Sequence, residues 1–237
     1  MKKKSLKFIG VISMLFLLSG CDLPLQEEFD FKTGVDILNP FENITAWEWI
    51  QTRSSTTTQA PYLGSEFDYF KAAIIKADMV EEYNQVATKE RTYLLLNNNA
   101  FLGAGDVINI ITGSAAAIPA GETAEQTMAK VDTPAELAKL KAVLRYHIVT
   151  TYILQAPTLF TKNLDYVFQT LIPGTDGLIA FRRTTDGSVQ WTITVNSPTA
   201  PLPATATAES ENVINHNYQF KNGVGHVIGD PVRNKPY

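Results

Sequence analysis

Cysteine and histidine are scarce in this sequence of 237 residues, which contains one cysteine and three histidines. A single cysteine cannot form an intramolecular disulfide, so the fold must be stable without one. The histidines stand at positions 147, 216 and 226, without the close spacing of a zinc motif. We therefore expect no metal and no cofactor. A two-histidine site formed by His216 and His226 across a hairpin is the one metal-binding alternative.

Catalytic and phosphate-binding motifs are also missing. There is no Gly-x-Ser-x-Gly turn to present a nucleophile and no glycine-rich loop to hold a phosphate. Lys and Arg number 20 against 24 Asp and Glu, and the cationic residues form no stripe that could neutralise nucleic-acid phosphates. The sequence thus predicts a protein that is not an enzyme and has no nucleic-acid partner. A hydrolase whose site the sequence does not reveal is an open alternative.

The longest apolar run is too short to span a bilayer. It covers about 11 residues, Phe8 to Leu18, where a membrane helix needs about 20. Four lysines precede it, and Leu18-Ser19-Gly20-Cys21 follows, which is the pattern of a cleaved bacterial lipoprotein signal. We predict a signal peptide over residues 1–20 and palmitate-type acylation of Cys21. An ordinary secretory signal, or a free buried cysteine, is the alternative.

Removal of the signal makes the protein more acidic. The first 20 residues hold four lysines and no acid, which leaves 16 cationic against 24 acidic side chains and a net charge of −8. Residues 21–43 have no regular apolar period, and we interpret them as a tether. The acids within Gln26–Asp30 resemble the export signal of surface lipoproteins of the bacteroidete type. Asp22 points instead to inner-membrane retention as in enteric bacteria, and a plain soluble linker is a further alternative.

Apolar periodicity in the remaining domain, residues 44–237, changes from helical to strand-like along the chain. Helices are predicted where apolar residues recur at helical spacing, over 44–50, 65–74 and 133–147. Ser65 and Thr133 are each followed by an acid three residues on, as at a helix start. Residues 113–125 and 197–208 are predicted to be weakly structured or looped. The predicted strands are 92–96, 164–171, 178–183, 189–195 and 224–228, with hairpin turns at Asp186-Gly187 and Asn222-Gly223.

Three separated segments resemble motifs of the fasciclin domain family. They are Thr92–Phe101, Leu140–Val149 and Asn222–Ile228, in the order and at the approximate spacing of that family. The sequence departs from the usual pattern at Leu96 and Gly225, and its loops over 102–132 and 196–212 are long, so no family binding site is carried over to those loops. The matching positions are Thr92, Asn98, Ala100, Phe101, Tyr146, His147, Asn222, Gly223 and His226.

The chemistry of these motif residues indicates a mainly structural role. Asn98 is predicted to cap a helix that begins near Ala100, and Phe101 to fill the core beneath it. A neutral imidazole at His147 or His226 can bridge backbone groups that would otherwise be buried without partners. In the resembled family the Tyr-His region is connected with adhesion, which would make Tyr146 and His147 contact residues. The two interpretations remain open at this point.

Exposed aromatic residues are the other candidates for ligand binding. Aromatic rings stack on sugars when they face solvent, although most Trp and Tyr side chains are at least half-buried. The candidate ligand-binding aromatics are Trp47, Trp49, Tyr62 and Trp191.

The resemblance and the periodicity together predict an α+β fold: a single fasciclin-like domain with a β-sandwich-like core and packed helices. The expected function is adhesion or ligand binding by a lipoprotein outside the cytoplasm, anchored through its lipid in the outer membrane and exposed at the cell surface. Its partner would be a protein or a polysaccharide. The alternative is an accessory glycan-binding lipoprotein of an outer-membrane polysaccharide-uptake system.

Overall fold

Two four-stranded sheets form the centre of the structure, a computed structural model that describes residues 41–55, 66–114, 122–186 and 190–233. All of these residues belong to one unit of the chain. The predicted signal peptide, Cys21, the tether up to residue 40, Ser65 and Gly187 lie outside the described residues.

The first sheet has the strand order β2-β1-β8-β7. Its two central strands, β1 and β8, run parallel, and every residue in both is buried. Parallel strands are normally covered on both faces, which explains why β1 has a continuous apolar run rather than an alternating pattern. The strands are β1 (Thr92–Leu96), β2 (Ile148–Val149), β7 (Asn215–Phe220) and β8 (Gly223–Ile228).

The second sheet is an antiparallel meander in the order β3-β4-β5-β6. In β5, Ile193 and Val195 are buried while Thr192 and Thr194 are half-buried, as the predicted alternation requires. β4 and β5 form the predicted antiparallel hairpin, but Asp186 pairs with Gln190 as the last residue of β4, and the connecting residues 187–189 lie outside the described part of the chain. The strands are β3 (Asp165–Gln169), β4 (Leu178–Asp186), β5 (Gln190–Val195) and β6 (Glu211–Asn212).

The two sheets share one core. The rings of Phe181 on β4 and His226 on β8 have centroids 6.3 Å apart, and an isolated bridge between Val149 and Thr170 joins the sheets at their edges. Helices pack around this core, so the predicted α+β class with a sandwich-like centre is confirmed. No helix within the described ranges has the length and apolarity that a bilayer crossing requires.

Capping boxes set the start of several helices. The hydroxyls of Thr45, Thr123 and Thr133 each accept a hydrogen bond from the backbone N–H three residues on. The Glu or Gln side chain at that third position accepts one in turn from the backbone N–H of the threonine. The predicted helix at Thr133 is therefore confirmed. The helices are α1 (Ala46–Thr52), α2 (Asp68–Lys76), α3 (Val80–Asn84), α4 (Val107–Thr112), α5 (Ala124–Ala129), α6 (Pro134–Tyr146) and α7 (Ala204–Thr207), with 3-10 turns at Asn98–Phe101 and Thr175–Gly177.

Two segments predicted to be weakly structured or looped contain short helices. The interpretation of 113–125 is wrong at its end, where Thr123 caps α5. The 197–208 segment is free of strands, as proline restraint predicts, but includes one helical turn, α7. The capping box at Thr123 starts α5, whereas α7 has no side-chain cap and consists of Ala and Thr, of which alanine is the strongest helix former.

The tight turn between β7 and β8 is displaced by one residue from its predicted position. Phe220 pairs with Gly223, so the turn consists of Lys221 and Asn222. Gly223 alone has a positive φ there, at 152°, whereas Asn222 does not. A Cβ at Gly223 would lie 2.5 Å from the carbonyl oxygen of Arg91. Glycine is therefore required by close approach to β1 as well as by backbone conformation.

Candidate functional site

The three motif-like segments come together in the first sheet. The strand of the first, β1, pairs with β2 from the second and with β8 from the third. Eight of the nine matching positions are buried, and Asn98 is half-buried. Segments separated by more than 120 residues thus form one continuous layer of the core.

Asn222 connects three elements through its carboxamide. Its Oδ1 accepts a hydrogen bond from the backbone N–H of Ala46 at 2.9 Å, at the start of α1. Its Nδ2 donates to the carbonyl of Tyr83 at 2.8 Å and to the hydroxyl of Tyr93 at 3.0 Å. The side chain is fully buried. Asn222 therefore fixes α1, the end of α3 and β1 against the hairpin.

His147 forms a similar junction at the end of α6. Its Nδ1 donates to the carbonyl of Val143 at 2.7 Å, and its Nε2 accepts from the backbone N–H of Val232 at 3.3 Å. This pattern requires the neutral ring. Complete burial disfavours the charged form and lowers the pKa of His147 to about 4, although the hydrogen bond to Val143 opposes the shift.

Tyr146 is also fully buried. Its hydroxyl donates to the carbonyl of Leu178 at 2.8 Å and accepts from Nδ2 of Asn196 at 3.0 Å. The guanidinium of Arg233 lies 5.3 Å from the ring centroid. Neither Tyr146 nor His147 can touch a partner without opening the core, so the structure disagrees with the interpretation that this pair is a surface contact.

His226 uses both ring nitrogens inside the protein. Its Nε2 donates to the carbonyl of Ile153 at 2.9 Å, and its Nδ1 accepts from the backbone N–H of Asn217 at 3.2 Å. Burial lowers the pKa of His226 to about 4 as well. With both nitrogens occupied, it cannot ligate a metal together with His216 or act as a general base. Among the described residues, no group of three or more His, Cys, Asp or Glu could hold a metal.

Thr92 and the residues after β1 complete the motif positions. The hydroxyl of Thr92 donates to the carbonyl of Thr151 at 2.7 Å and accepts from the N–H of Ile153 at 2.9 Å. Ala100 is fully buried, and Phe101 stacks on Tyr69 with centroids 5.8 Å apart. These contacts hold the segment after β2 and the start of α2 close to β1.

Asn98 caps a different helix from the predicted one. Its Oδ1 accepts from the backbone N–H of Tyr69 at 3.1 Å, in the first turn of α2. Phe67, at the N-cap of α2, has no side-chain oxygen to do this. The 3-10 turn that follows β1 is capped instead by Asn97, which accepts from the N–H of Asn99 at 3.0 Å. The cap on α2 thus comes from 29 residues further along the chain.

The aromatic candidates do not form an exposed platform in the described structure. Trp49 is only 1% exposed and packs on Phe67, Tyr218 and Phe220, so its predicted role in stacking on sugars is wrong. Trp47 is half-buried against the core. Tyr62 and the side chain of Trp191 lie outside the described part of the chain.

Two buried polar residues escaped the sequence analysis. Asn196 has φ of +51°, accepts from the N–H of Ala180 at 3.0 Å and donates to the carbonyl of Val232 at 3.1 Å. Arg233 is 2% exposed and donates to the carbonyl of Asp176. For Asn196, the sequence signal was an Asn-Ser pair at the end of a predicted strand, a pattern that is common in turns and does not indicate burial.

A surface concavity in the described structure lies between α2 and α5. It has two adjoining depressions of about 210 and 230 Å³, and Glu125 lines both. The first is lined by Ala72, Ile75, Lys76, Glu125, Met128 and Ala129. The second is lined by Ser55, Asp68, Tyr69, Glu122, Thr123, Ala124 and Glu125. We call the two together the α2–α5 groove.

The fold and the groove define an α+β scaffold with a surface depression and buried motif residues that are hydrogen-bonded within the core. No family model matches the chain, and no curated protein matches it. Among solved structures it is similar to a FAS1 domain pair from the insect cell adhesion molecule fasciclin I. The two are 17% identical with a TM-score of 0.42, over 71% of this chain and 45% of that chain. The chain thus spans less than half the length of that structure.

Proposed function

We propose that this protein is a surface-exposed bacterial lipoprotein whose fasciclin-like domain acts in adhesion or ligand binding. The observation that carries the proposal is the convergence of the three motif-like segments on adjacent strands of one sheet. Chance matches to short motifs have no reason to meet in space. The polar atoms of His147, Asn222 and His226 are engaged within the core, which favours a rigid scaffold over a catalytic centre.

On this proposal, recognition occurs on the surface of the scaffold. Binding residues on many folds lie on loops and helix ends that a packed core holds in place. The α2–α5 groove offers such a surface, with an apolar floor and charged walls. Probing protein and glycan arrays with the detergent-solubilised full chain tests the ligand class. Capture of protein ligands supports adhesion, whereas capture of polysaccharides alone would favour a glycan-uptake accessory instead.

The lipid anchor is expected to depend on the sulfur of Cys21. The Cys21→Ser variant should incorporate no labelled palmitate and should be found as a soluble protein or as an unprocessed precursor, because residue 21 then has no sulfur to form the thioether. Metabolic labelling followed by membrane fractionation measures both properties. Ser19→Ala is the matched control, since it keeps a small residue before the cysteine and should be labelled normally. Wild-type labelling of Cys21→Ser would contradict the anchor.

Surface exposure is expected from the acidic tether segment, Gln26–Asp30. Trypsin added to intact cells should release or degrade the domain, because the mature chain would stand outside the outer membrane. Immunoblotting of the treated cells measures the loss, and a periplasmic protein in the same cells should stay intact. Complete protection of the domain until the outer membrane is permeabilised would place it inside the envelope.

A further inference from the structure

We propose that the α2–α5 groove binds an extended peptide of a partner protein in which an aliphatic residue is followed two positions later by a lysine or arginine. This inference rests on the proposed binding function and names the chemistry of its ligand. The floor of the apolar depression consists of Ala72 and Met128, both buried, and its edge includes Ile75, which is 52% exposed.

Ile75 stands out because it is a large aliphatic residue on a packed helix with half of its surface in water. Across the groove, the exposed Ala129 offers apolar surface to a side chain that covers Ile75. A depression of about 210 Å³ is large enough for one aliphatic side chain but small for a folded domain. An aliphatic side chain that fills it would remove the exposed part of Ile75 from water.

The second depression is anionic. Asp68, Glu122 and Glu125 line it, and the hydroxyl-bearing residues Ser55 and Thr123 complete its wall. Glu122 pairs with Lys130 at 2.6 Å, and Asp68 accepts a hydrogen bond from the backbone N–H of Ser55 at 2.6 Å. One lysine therefore offsets one of three carboxylates, which leaves this end of the groove attractive to a cation.

Charge also sets the direction of the bound peptide. Lys76 lines the apolar depression and repels a cationic side chain there, while the carboxylates attract one at the opposite end. Glu125 borders both depressions, so they are adjacent, as are side chains two residues apart on the same face of an extended peptide. The acidic end disfavours anionic lipid and nucleic acid, and the apolar floor offers few partners for the hydroxyl groups of a sugar.

The test compares two fluorescein-labelled hexapeptides, Gly-Ser-Leu-Ser-Arg-Gly (the Leu-Arg peptide) and Gly-Ser-Leu-Ser-Glu-Gly (the Leu-Glu peptide), by fluorescence anisotropy with the detergent-solubilised full chain. We expect the Leu-Arg peptide to bind at least threefold more tightly than the Leu-Glu peptide, with the difference shrinking at high salt. Glu125→Lys should abolish or invert this preference. Ile75→Ser should weaken both peptides alike, because it removes apolar contact without changing charge.

Two matched controls separate the groove from general attraction. Glu81→Lys makes the same change of charge on α3, at an exposed position that does not line the groove, and Val86→Ser removes an apolar residue that is 61% exposed elsewhere. Both should bind like the wild type. Equal affinity for the two peptides, or an equal effect of Glu81→Lys and Glu125→Lys, would overturn the inference.

The failure of this inference differs from the failure of the proposed function. If the full chain captures protein ligands on the array but neither hexapeptide binds, the groove assignment is wrong and the binding function stands. If the arrays capture nothing and the hexapeptides do not bind, both are wrong. Preference for Leu-Arg that disappears in Glu125→Lys but persists in Glu81→Lys supports the groove.

Discussion

Acidification should destabilise this protein by on the order of 3 kcal/mol for each of two buried histidines. His147 and His226 are fully buried, and the pKa of each is lowered from its ordinary value of 6.5 to about 4. In both cases desolvation is the main cause. Protonation would convert the acceptor nitrogen of each ring into a donor, which would then face the backbone N–H that donates to it in the neutral state.

The direction of the effect follows from the two states. In the unfolded chain each histidine takes up a proton near pH 6.5, whereas in the folded protein it does so only near pH 4. Stability is therefore complete above pH 6.5 and falls as the pH drops toward 4. Glu211 acts in the opposite sense, because burial and the nearby Asp230 raise its pKa to about 6. Since Glu211 is only half-buried, its protonation should offset about 1 kcal/mol at most of the stability lost through the two histidines.

Urea unfolding at pH 7.0, 5.5 and 4.5 measures this loss. His147→Asn and His226→Gln keep a neutral hydrogen-bond donor. Each should reduce the number of protons taken up on unfolding by up to one, and so make the free energy of unfolding less dependent on pH. His216→Gln is the control, because that ring is half-buried and should contribute less. A wild-type pH slope that persists in the His147→Asn, His226→Gln double variant would contradict the account.

Asn222→Ala should lower the free energy of unfolding by about 3 kcal/mol or more. The substitution removes three hydrogen bonds and leaves the N–H of Ala46 and the carbonyl of Tyr83 buried without that partner. An unpaired buried polar group costs about 1–3 kcal/mol. For a domain of this size the melting temperature should fall by roughly 6–12 °C.

Thermal unfolding of Asn222→Ala beside Asn212→Ala provides the comparison. Asn212 is exposed, and its carboxamide accepts one hydrogen bond from Thr194, so its loss should change the melting temperature by no more than about 3 °C. If Asn222→Ala unfolds within that same small interval, the hydrogen-bond junction is not what fixes α1 against the hairpin.

The elements with strong local signals were predictable from the sequence. The capping box at Thr133 and the leucines after it define α6, and the apolar run Thr92–Leu96 defines a buried strand. The alternation of apolar and polar residues predicted β5, and the Asp-Gly sequence before it predicted that β4 and β5 form a hairpin. In each case the information lies within a few residues of the element, which is where periodicity and capping act.

Contacts between distant segments were not predictable. Asn98 caps α2 from 29 residues away, and Asn196 bonds Tyr146 across 50 residues. The burial of Trp49 rather than Trp47 has the same origin, because two aromatic rings from β7 cover that face of α1. A helical period alone does not show which of two neighbouring tryptophans a distant strand will contact.

The candidate groove was also hidden from the sequence analysis. One wall is α5, a helix of six residues in a segment rich in alanine that periodicity does not mark. Ile75 lies one residue beyond the predicted helix 65–74, and no sequence pattern indicated that 52% of its surface is in water. Surface concavities arise from how two helices pack, and neither helix alone carries that information.

The central claim is that the motif residues form a buried scaffold and leave recognition to the surface. An NMR titration of the histidine rings tests it most directly, because the ring protons report ionisation of each side chain. The account predicts that His147 and His226 stay neutral from pH 8 to pH 5, with each pKa about 4. Titration of His147 near pH 6.5 in the folded protein would show a solvent-accessible ring and contradict the account.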